Sequence, residues 1–434
     1  MDYHQPKSIG PQVLRPFDKA LQVLALGPRW DLVHLPTDHF PTVRRLMLGL
    51  ALGADSLAAN WRLTQPLFAP QAQGVCYETL SDPQVNLLQI LPALVPAHRT
   101  TPGDQLIIDA TSTHIAGQHI AGTTLQYDHA TRAYYMGHNL VTLFHRGTDG
   151  TGRFYDFALK LNHRQPPPQV HRGRPTKTVQ QARQPRWKLG LELVQQAKQR
   201  GHQAGLVLAD AEFCQPEFLL GVHQAGLDFT TRLPCNRLLA HRQGLHAAQH
   251  WVDITRSYKR LRDTGYYFMQ TLAYLPIVGL PLVKVVAHWP CTSAKGKHDA
   301  RFIVTSKWWQ SAYEVVTEYP QRGHVEPGYK QLKQLCGLDD GHVRGWHAVR
   351  NYYALSLLTH AVVVEMHRLA GTKQGLQGYV DSFRQQLVSD RITAEKRLKV
   401  EVFKTMLWQN GFSTRPADHR LLLDLVDAAF HDTG

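Results

Sequence analysis

Two short apolar runs that each end on an aspartate constrain this chain more than any other feature. Gln105 to Asp109 reads QLIID and Leu206 to Asp210 reads LVLAD. Runs of Ile, Leu and Val without polar alternation mark strands buried on both faces. In open α/β sheets, sites gather at the carboxyl ends of strands. One strand-terminal Asp commonly caps the next turn or helix. Two of them in one sheet set a pair of carboxylates at a common edge, and oxygen ligands of this kind suit hard cations such as Mg²⁺.

The flanking segments supply an order. Tyr134 to His145 and Arg153 to Leu161 are rich in aromatic and β-branched residues, and the turn GTDGTG, Gly147 to Gly152, joins them as a hairpin. Three antiparallel strands therefore follow one another. A helix from about Thr178 to Arg200, the second Asp-ending strand, a helix over Gln215 to Gln224 and a strand over Asp228 to Leu233 come next. Residues 235 to 300 are β-rich, with Tyr266 to Tyr274 and Ile277 to Trp289. They read as an insertion that stays out of the central sheet, since extending that sheet would break the core order. The strand Phe302 to Thr305, helical segments from Ser311 and a strong helix from Gly345 to Leu369 complete the core.

This is the order of an RNase H-like fold, a mixed five-stranded sheet flanked by helices. It divides the chain into a helical N-terminal region over 1–100, a first core part over 101–234, the insertion 235–300, a second core part over 301–370 and a helical C-terminal region over 371–434. The N-terminal region, with helix-like spacing over Thr42 to Leu63 and Pro83 to Leu94, is a DNA-binding module or a helical cap on the core. The proline-rich basic stretch HRQPPPQVHRGRPTK, His163 to Lys177, reads as a solvated linker.

Composition narrows the partners. The 434 residues are 43% hydrophobic and 19% charged, enough to build a buried core. A balance of 48 Lys and Arg against 34 Asp and Glu gives a formal charge of +14, which suits a polyanion, and nucleic acid first. The five cysteines are scattered and form no C-x-x-C pair, which speaks against a disulfide framework or zinc ribbon and for a reducing cytoplasm. Met1 to Arg45 does not read as a signal peptide. Leu46 to Ala54 is too short to span a bilayer, and Leu272 to Ala287, with Pro276, Gly279 and Pro281, reads as a hairpin, so no membrane is expected. The absence of a P-loop, an H-E-x-x-H and paired histidines removes the simple ATPase, zincin and tyrosine-nuclease readings.

Two-metal phosphodiester chemistry calls for a third carboxylate. It arrives in YPQRGHVEPGYKQLK, Tyr319 to Lys333. Tyr319, Arg322, Glu326 and Lys333 recur at offsets that share a helical face. These four residues match the Y-(2)-R-(3)-E-(6)-K pattern of bacterial insertion-sequence transposases of the IS-four type, in the DDE superfamily. Asp109 in IIDATSTH and Asp210 in VLADAEFCQPEFL resemble that family's first and second catalytic Asp, and TTRLPCNRLL resembles the strand after the second. Lys333 to Val363 is similar to the segment after the family's Glu helix, so the resemblance spans about residues 100 to 370.

The resemblance implies an RNase H-like enzyme that cuts the ends of a mobile element and joins them to target DNA. Asp109, Asp210 and Glu326 would be catalytic and would hold two Mg²⁺ ions, with Mn²⁺ able to substitute. Tyr319, Arg322 and Lys333 would contact DNA phosphates. Double-stranded DNA, as terminal repeats and target, would be the partner of a homodimer, with the helices beyond Gly345 as candidates for its contact. None of the 16 tyrosines need act as a nucleophile. A nuclease without strand transfer, and a transposase-derived DNA-binding protein, are the rival readings.

Relatives usually carry Trp after the Arg and no Pro after the Glu, where this chain has Gly323 and Pro327-Gly328. Proline favours the first helical position, so the helix is expected to begin at Pro327 with Glu326 near its N-terminus. Trp289, Trp308 and Trp309 are candidates for stacking on a flipped base, with core packing as the favoured alternative. His114, His119 and His324 fall near the proposed site and are assigned no role.

Overall fold

The helical start of the chain breaks where backbone chemistry demands it. The computed structural model describes residues 14–24, 26, 39–68, 72–115, 120–128, 132–161, 177–241, 244–254, 257–261, 265–292 and 299–389. The proline-rich linker, His119 and the tail from 390 lie outside the described residues. Helices α1 (Arg15–Val23), α2 (Phe40–Ala51), α3 (Leu57–Thr64), α4 (Gly74–Ser81) and the single turn α5 (Ile90–Ala93) precede the sheet. The expected helix Thr42 to Leu63 is two, because Gly53 adopts φ +84° and Ser56 then caps α3 by accepting from Ala59 N–H. Pro83 to Leu94 opens on a turn and is helical only from Leu87, as a 3₁₀ turn over Leu87–Gln89 that runs into α5.

The sheet starts with β1 (Gln105–Ser112). A small hairpin comes next, β2 (Thr124–Asp128) and β3 (Ala133–Gly137), and then β4 (Asn139–Arg146) and β5 (Gly152–Lys160). The run Tyr134 to His145 is therefore two strands belonging to two sheets. Helices α6 (Lys177–Ala182) and α7 (Arg186–Gln199), split at Pro185, lead to β6 (Leu206–Ala209), α8 (Pro216–Gln224) and β7 (Asp228–Leu233). Strands β1, β4 and β5 pair antiparallel, and β1, β6 and β7 pair parallel, in the spatial order β5-β4-β1-β6-β7. This is the mixed, helix-flanked sheet of an RNase H-like fold.

The sheet does not stop at five strands. Beyond a second small hairpin, β8 (Leu238–His241) with β9 (Gly244–Ala247), and the short helix α9 (Ala248–Ile254), the chain forms β10 (Lys259–Leu261), β11 (Tyr266–Ala273), β12 (Val283–Pro290) and β13 (Arg301–Thr305). Strand β13 pairs antiparallel with β7, and β12, β11 and β10 continue outward to make nine strands. The expectation that this stretch stays out of the central sheet is overturned. The strands add at the free edge of β7, so the order of the five inner strands survives the extension.

Alternation along the strands divides two cores. Ile107, Leu140, Phe157 and Leu208 face one side, with α11 (Val325–Leu335) and α12 (Trp346–Ala370). Leu106, Ile108, Val141 and Val207 face the other, against α7 and α8. Helix α10 (Ala312–Glu318) covers Val286 and Ile303 of the added strands. Helix α12 is the hub of the first side: α1, α2, α4 and α11 pack round it, and it ends on Gly371 in the left-handed region. Its surface is thus largely consumed within the chain, which removes most of it as the expected dimer contact. Trp289 is core, whereas Trp308 (49%) and Trp309 (60%) are exposed. Both lie just past the end of β13, which pairs with the start of β7. That places them at the sheet edge away from Asp210 and makes them poor candidates for stacking near it. Among the described residues, no helix is long and apolar enough to cross a membrane.

The hairpin after β1 is held tightly. Thr113 N–H donates to His138 O (2.9 Å) and Ile115 N–H to Met136 O (3.0 Å). A Cβ at Gly137 would sit 1.7 Å from the Thr113 carbonyl oxygen. Gly137→Ala should therefore cost about 1–3 kcal/mol through backbone displacement, read as a lower urea midpoint of the intact chain. An unchanged midpoint would show that the hairpin does not pack this closely.

Candidate active site

Strand register brings the two aspartates together. Ile108 pairs with Ala209 in the parallel β1–β6 ladder, so Asp109 and Asp210 come next, at one edge on adjacent strands. Asp109 keeps the phase of Ile107 and points to the side of the sheet covered by α11. Its Oδ1 accepts the Ala110 N–H at 2.9 Å. Asp210 opens the turn after β6, and its carbonyl accepts from Thr231 Oγ1 at 3.1 Å, which ties it to β7.

The third element is set by its caps. Ser311 and Glu314 form a capping box at the start of α10. A 3₁₀ segment, Tyr319–His324, then leads into α11. That helix begins at Val325, so Pro327 sits in the first turn, where its missing N–H leaves no bond unmade. The start is two residues earlier than expected, and Glu326 is in the first turn.

Arg322 joins the parts. Its Nη1 donates to Asp109 Oδ2 at 3.0 Å and its Nη2 to Glu326 Oε1 at 3.2 Å. Tyr319 Oη donates to Asp210 Oδ1 at 3.4 Å. Lys333 Nζ donates to the Ser112 carbonyl at 2.6 Å, at the end of β1. Of the proposed DNA-contacting residues, then, two bond the carboxylates and the third bonds the strand that carries Asp109.

The electrostatics reflect this crowding. Burial pushes the Asp109 carboxyl up to about 6; Arg322 and the Ala110 N–H oppose the rise, and Asp210 and Glu326 add to it. Burial works against the charge on Arg322, but the surrounding anions, Asp109 foremost, raise its pKa. Burial and then the Asp210 charge push the Tyr319 phenol up to about 12, so it is a neutral donor.

Do these residues suit divalent ions? Among the described residues no three His, Cys, Asp or Glu side chains are gathered closely enough to enclose one. A guanidinium occupies the centre instead, and two carboxylates on different elements already converge on that single cation. The donors are all hard oxygens. By donor type the set suits a divalent cation, and in this arrangement Arg322 takes that place.

Sequence reasoning passed over several neighbours. Tyr329, three residues after Glu326, lies beneath the site with its hydroxyl 2.5 Å from Thr142 Oγ1. Its place on the same helical face was the available signal. Arg186 bonds both oxygens of Glu212 (2.7 and 2.8 Å) and Asn139 Oδ1 (2.8 Å), linking the β6 turn to β4. Asp339 accepts the His114 N–H at 3.1 Å, and His114 stacks on Tyr135 at 3.8 Å. Nothing in the local pattern announces these long-range pairs. His324 lies within the 3₁₀ segment, and burial lowers its pKa.

Two family comparisons coincide with this geometry. The family described as DDE superfamily endonuclease matches residues 81–259, which include Asp109 and Asp210. The family described as transposase DDE domain matches residues 176–362, which include Asp210 and Glu326. The chain belongs to the DDE transposase superfamily. No curated protein is significantly similar to it. As a DDE transposase it is a nuclease-type enzyme whose substrate is DNA.

The raised Asp109 pKa has a signed consequence for this transposase without metal. Against an ordinary value of 3.8, a folded value of about 6 means that the folded state holds more protons between these limits. Stability from this group is therefore present below pH 4 and lost as pH rises through 6. The side chain is only 16% exposed, so the effect is little screened. Asp109→Asn should match wild type near pH 4 and exceed it by about 2–3 kcal/mol above pH 6.5. Thermal unfolding across this range, in chelator, measures the difference; a gap that does not change with pH would contradict the assignment.

Proposed function

We propose that this transposase performs cut-and-paste transposition of an insertion sequence of the IS-four type, cleaving element ends and transferring them to target DNA. Asp109, Asp210 and Glu326 are the catalytic carboxylates, and they would hold two Mg²⁺ ions, or Mn²⁺ in their place. Such ions, when bound, activate the attacking oxygen and stabilise the leaving one. The observation that carries the reading is the meeting of Asp109 and Glu326 on one guanidinium, with Asp210 at the next strand end.

The chain's own residues divide the remaining work. Arg322, freed from the carboxylates, is placed to turn its fork onto a phosphate, the bidentate geometry that guanidinium groups favour. Tyr319 stays protonated and offers a hydrogen bond at the Asp210 side. Lys333 holds the end of β1 and places a positive charge beside the scissile strand. Joining two ends requires two sites in one complex, so the active species is a homodimer on DNA.

Glu326→Gln keeps the side-chain shape and removes the charge. Cleavage of a duplex from the gene's own flanks, in Mg²⁺, should fall by several orders of magnitude, with Asp109→Asn and Asp210→Asn alike. Retardation of the same duplex should persist, since it rests on Lys and Arg contacts. Near wild-type cutting by Glu326→Gln would overturn the third carboxylate. Cutting without joining of the ends in wild type would favour the nuclease reading.

A further inference from the structure

A pocket of about 210 Å³ opens at the outer edge of β5, away from the carboxylates. Its walls come from β5, α7, the start of α12 and the turn at 86–89. Asp156, only 4% exposed, lines it and is held by Arg200 Nη1 at 2.7 Å and the Phe157 N–H at 2.8 Å. That pair is neutral. Arg350 enters the same pocket from α12, one turn beyond Trp346. It is half-buried, and among the described residues its guanidinium makes no hydrogen bond. Burial lowers its pKa, and Asp156 is the one opposing charge it senses. The pocket thus carries one surplus guanidinium, without a hydrogen bond among the described residues, with the amides of Gln89, Gln181 and Gln196 round it.

Strand pairing places the pocket relative to the carboxylates. Asp109 pairs with Thr142 on β4, and Thr142 with Phe157 on β5. The pocket wall is therefore level with Asp109 and two strands away, roughly 10 Å at ~4.8 Å per strand. Successive phosphates of one DNA strand advance ~3.4 Å along the axis, so a duplex seated at the carboxylates passes this edge within a few nucleotides.

We propose that this pocket is a phosphate site in which Arg350 grips a DNA backbone phosphate a few nucleotides from the cut. The assignment of DNA as source rests on the transposase reading; the phosphate chemistry stands on the pocket itself. Arg350 fixes where the strand lies and takes no part in the reaction, so it is a positioning residue.

The test measures binding of the full chain to a random-sequence duplex across a salt series. Arg350→Gln should weaken binding about equally for unrelated sequences and reduce the slope of log K against log salt by about one. Arg350→Lys should restore most of the slope. Gln89→Glu, at an exposed position of the rim, should weaken binding without touching the core, and serves if Arg350→Gln fails to fold. In parallel, inorganic phosphate is added to DNA-free protein and the melting temperature read. A phosphate-dependent rise lost in Arg350→Gln, with an unchanged DNA slope, keeps the phosphate site and assigns it to a free phosphate. No DNA binding by wild type at all would count against the transposase reading, leaving the phosphate arm to judge the pocket. Wild-type slopes in Arg350→Gln and Gln89→Glu, with no phosphate-dependent rise, would overturn the proposal.

Discussion

The parallel register of β1 against β6 governs what the rest of the molecule can do. Ile108 opposite Ala209 leaves Asp109 and Asp210 at one edge of neighbouring strands. A slip of one residue would turn Asp109 to the opposite face, under α7 and away from Glu326. The register is held because both strands are buried on both faces: Leu106 and Ile108 belong to one core, Ile107 and Leu208 to the other. Helix α12 and its N-terminal partners make the first of these cores deep enough to support α11 over the site. Hydrogen bonds fasten the loop after β1 to the same hub, through Thr113, Tyr353 and His138 (3.0 and 2.7 Å).

Three carboxylates brought near one another repel, and burial of Asp109 adds to the cost. Arg322 offsets this by bonding two of them at once. The arrangement is a cation site held by an internal cation. On the proposed function, departure of Arg322 would be tied to arrival of a competing charge. A DNA phosphate would then compete for Arg322, while the carboxylates it leaves would be free to hold divalent ions.

Legibility in the sequence tracked the range of the interactions. The Asp-ending strands, the strand Asp228–Leu233 and the long helix ending near Leu369 were readable because composition and periodicity decide them locally. The Arg322–Glu326 pair was readable because the two residues stand four apart, in a set with Tyr319 and Lys333 that resembles the transposase motif. The extension of the sheet was not, since an alternating strand does not state which edge it will join; β13 meets β7 through pairing that only the folded chain defines. The split of Tyr134 to His145 into β3 and β4 was hidden for a similar reason: Gly137 and His138 read as strand, and only their close contact with Thr113 turns the chain. The Arg186–Glu212 and Asp339–His114 pairs are long-range and left no local pattern. The tryptophans at 308 and 309 were expected to pack inside, yet they lie exposed on the turn after β13.

Binding of Mn²⁺ to a complex with end DNA tests the central claim most directly, through an anomalous-scattering map of crystals. Ions held by Asp109, Asp210 and Glu326, with Arg322 turned off both carboxylates and onto a phosphate, are the expected result. Arg322 still bonded to Asp109 and Glu326, with the ions bound elsewhere, would contradict it.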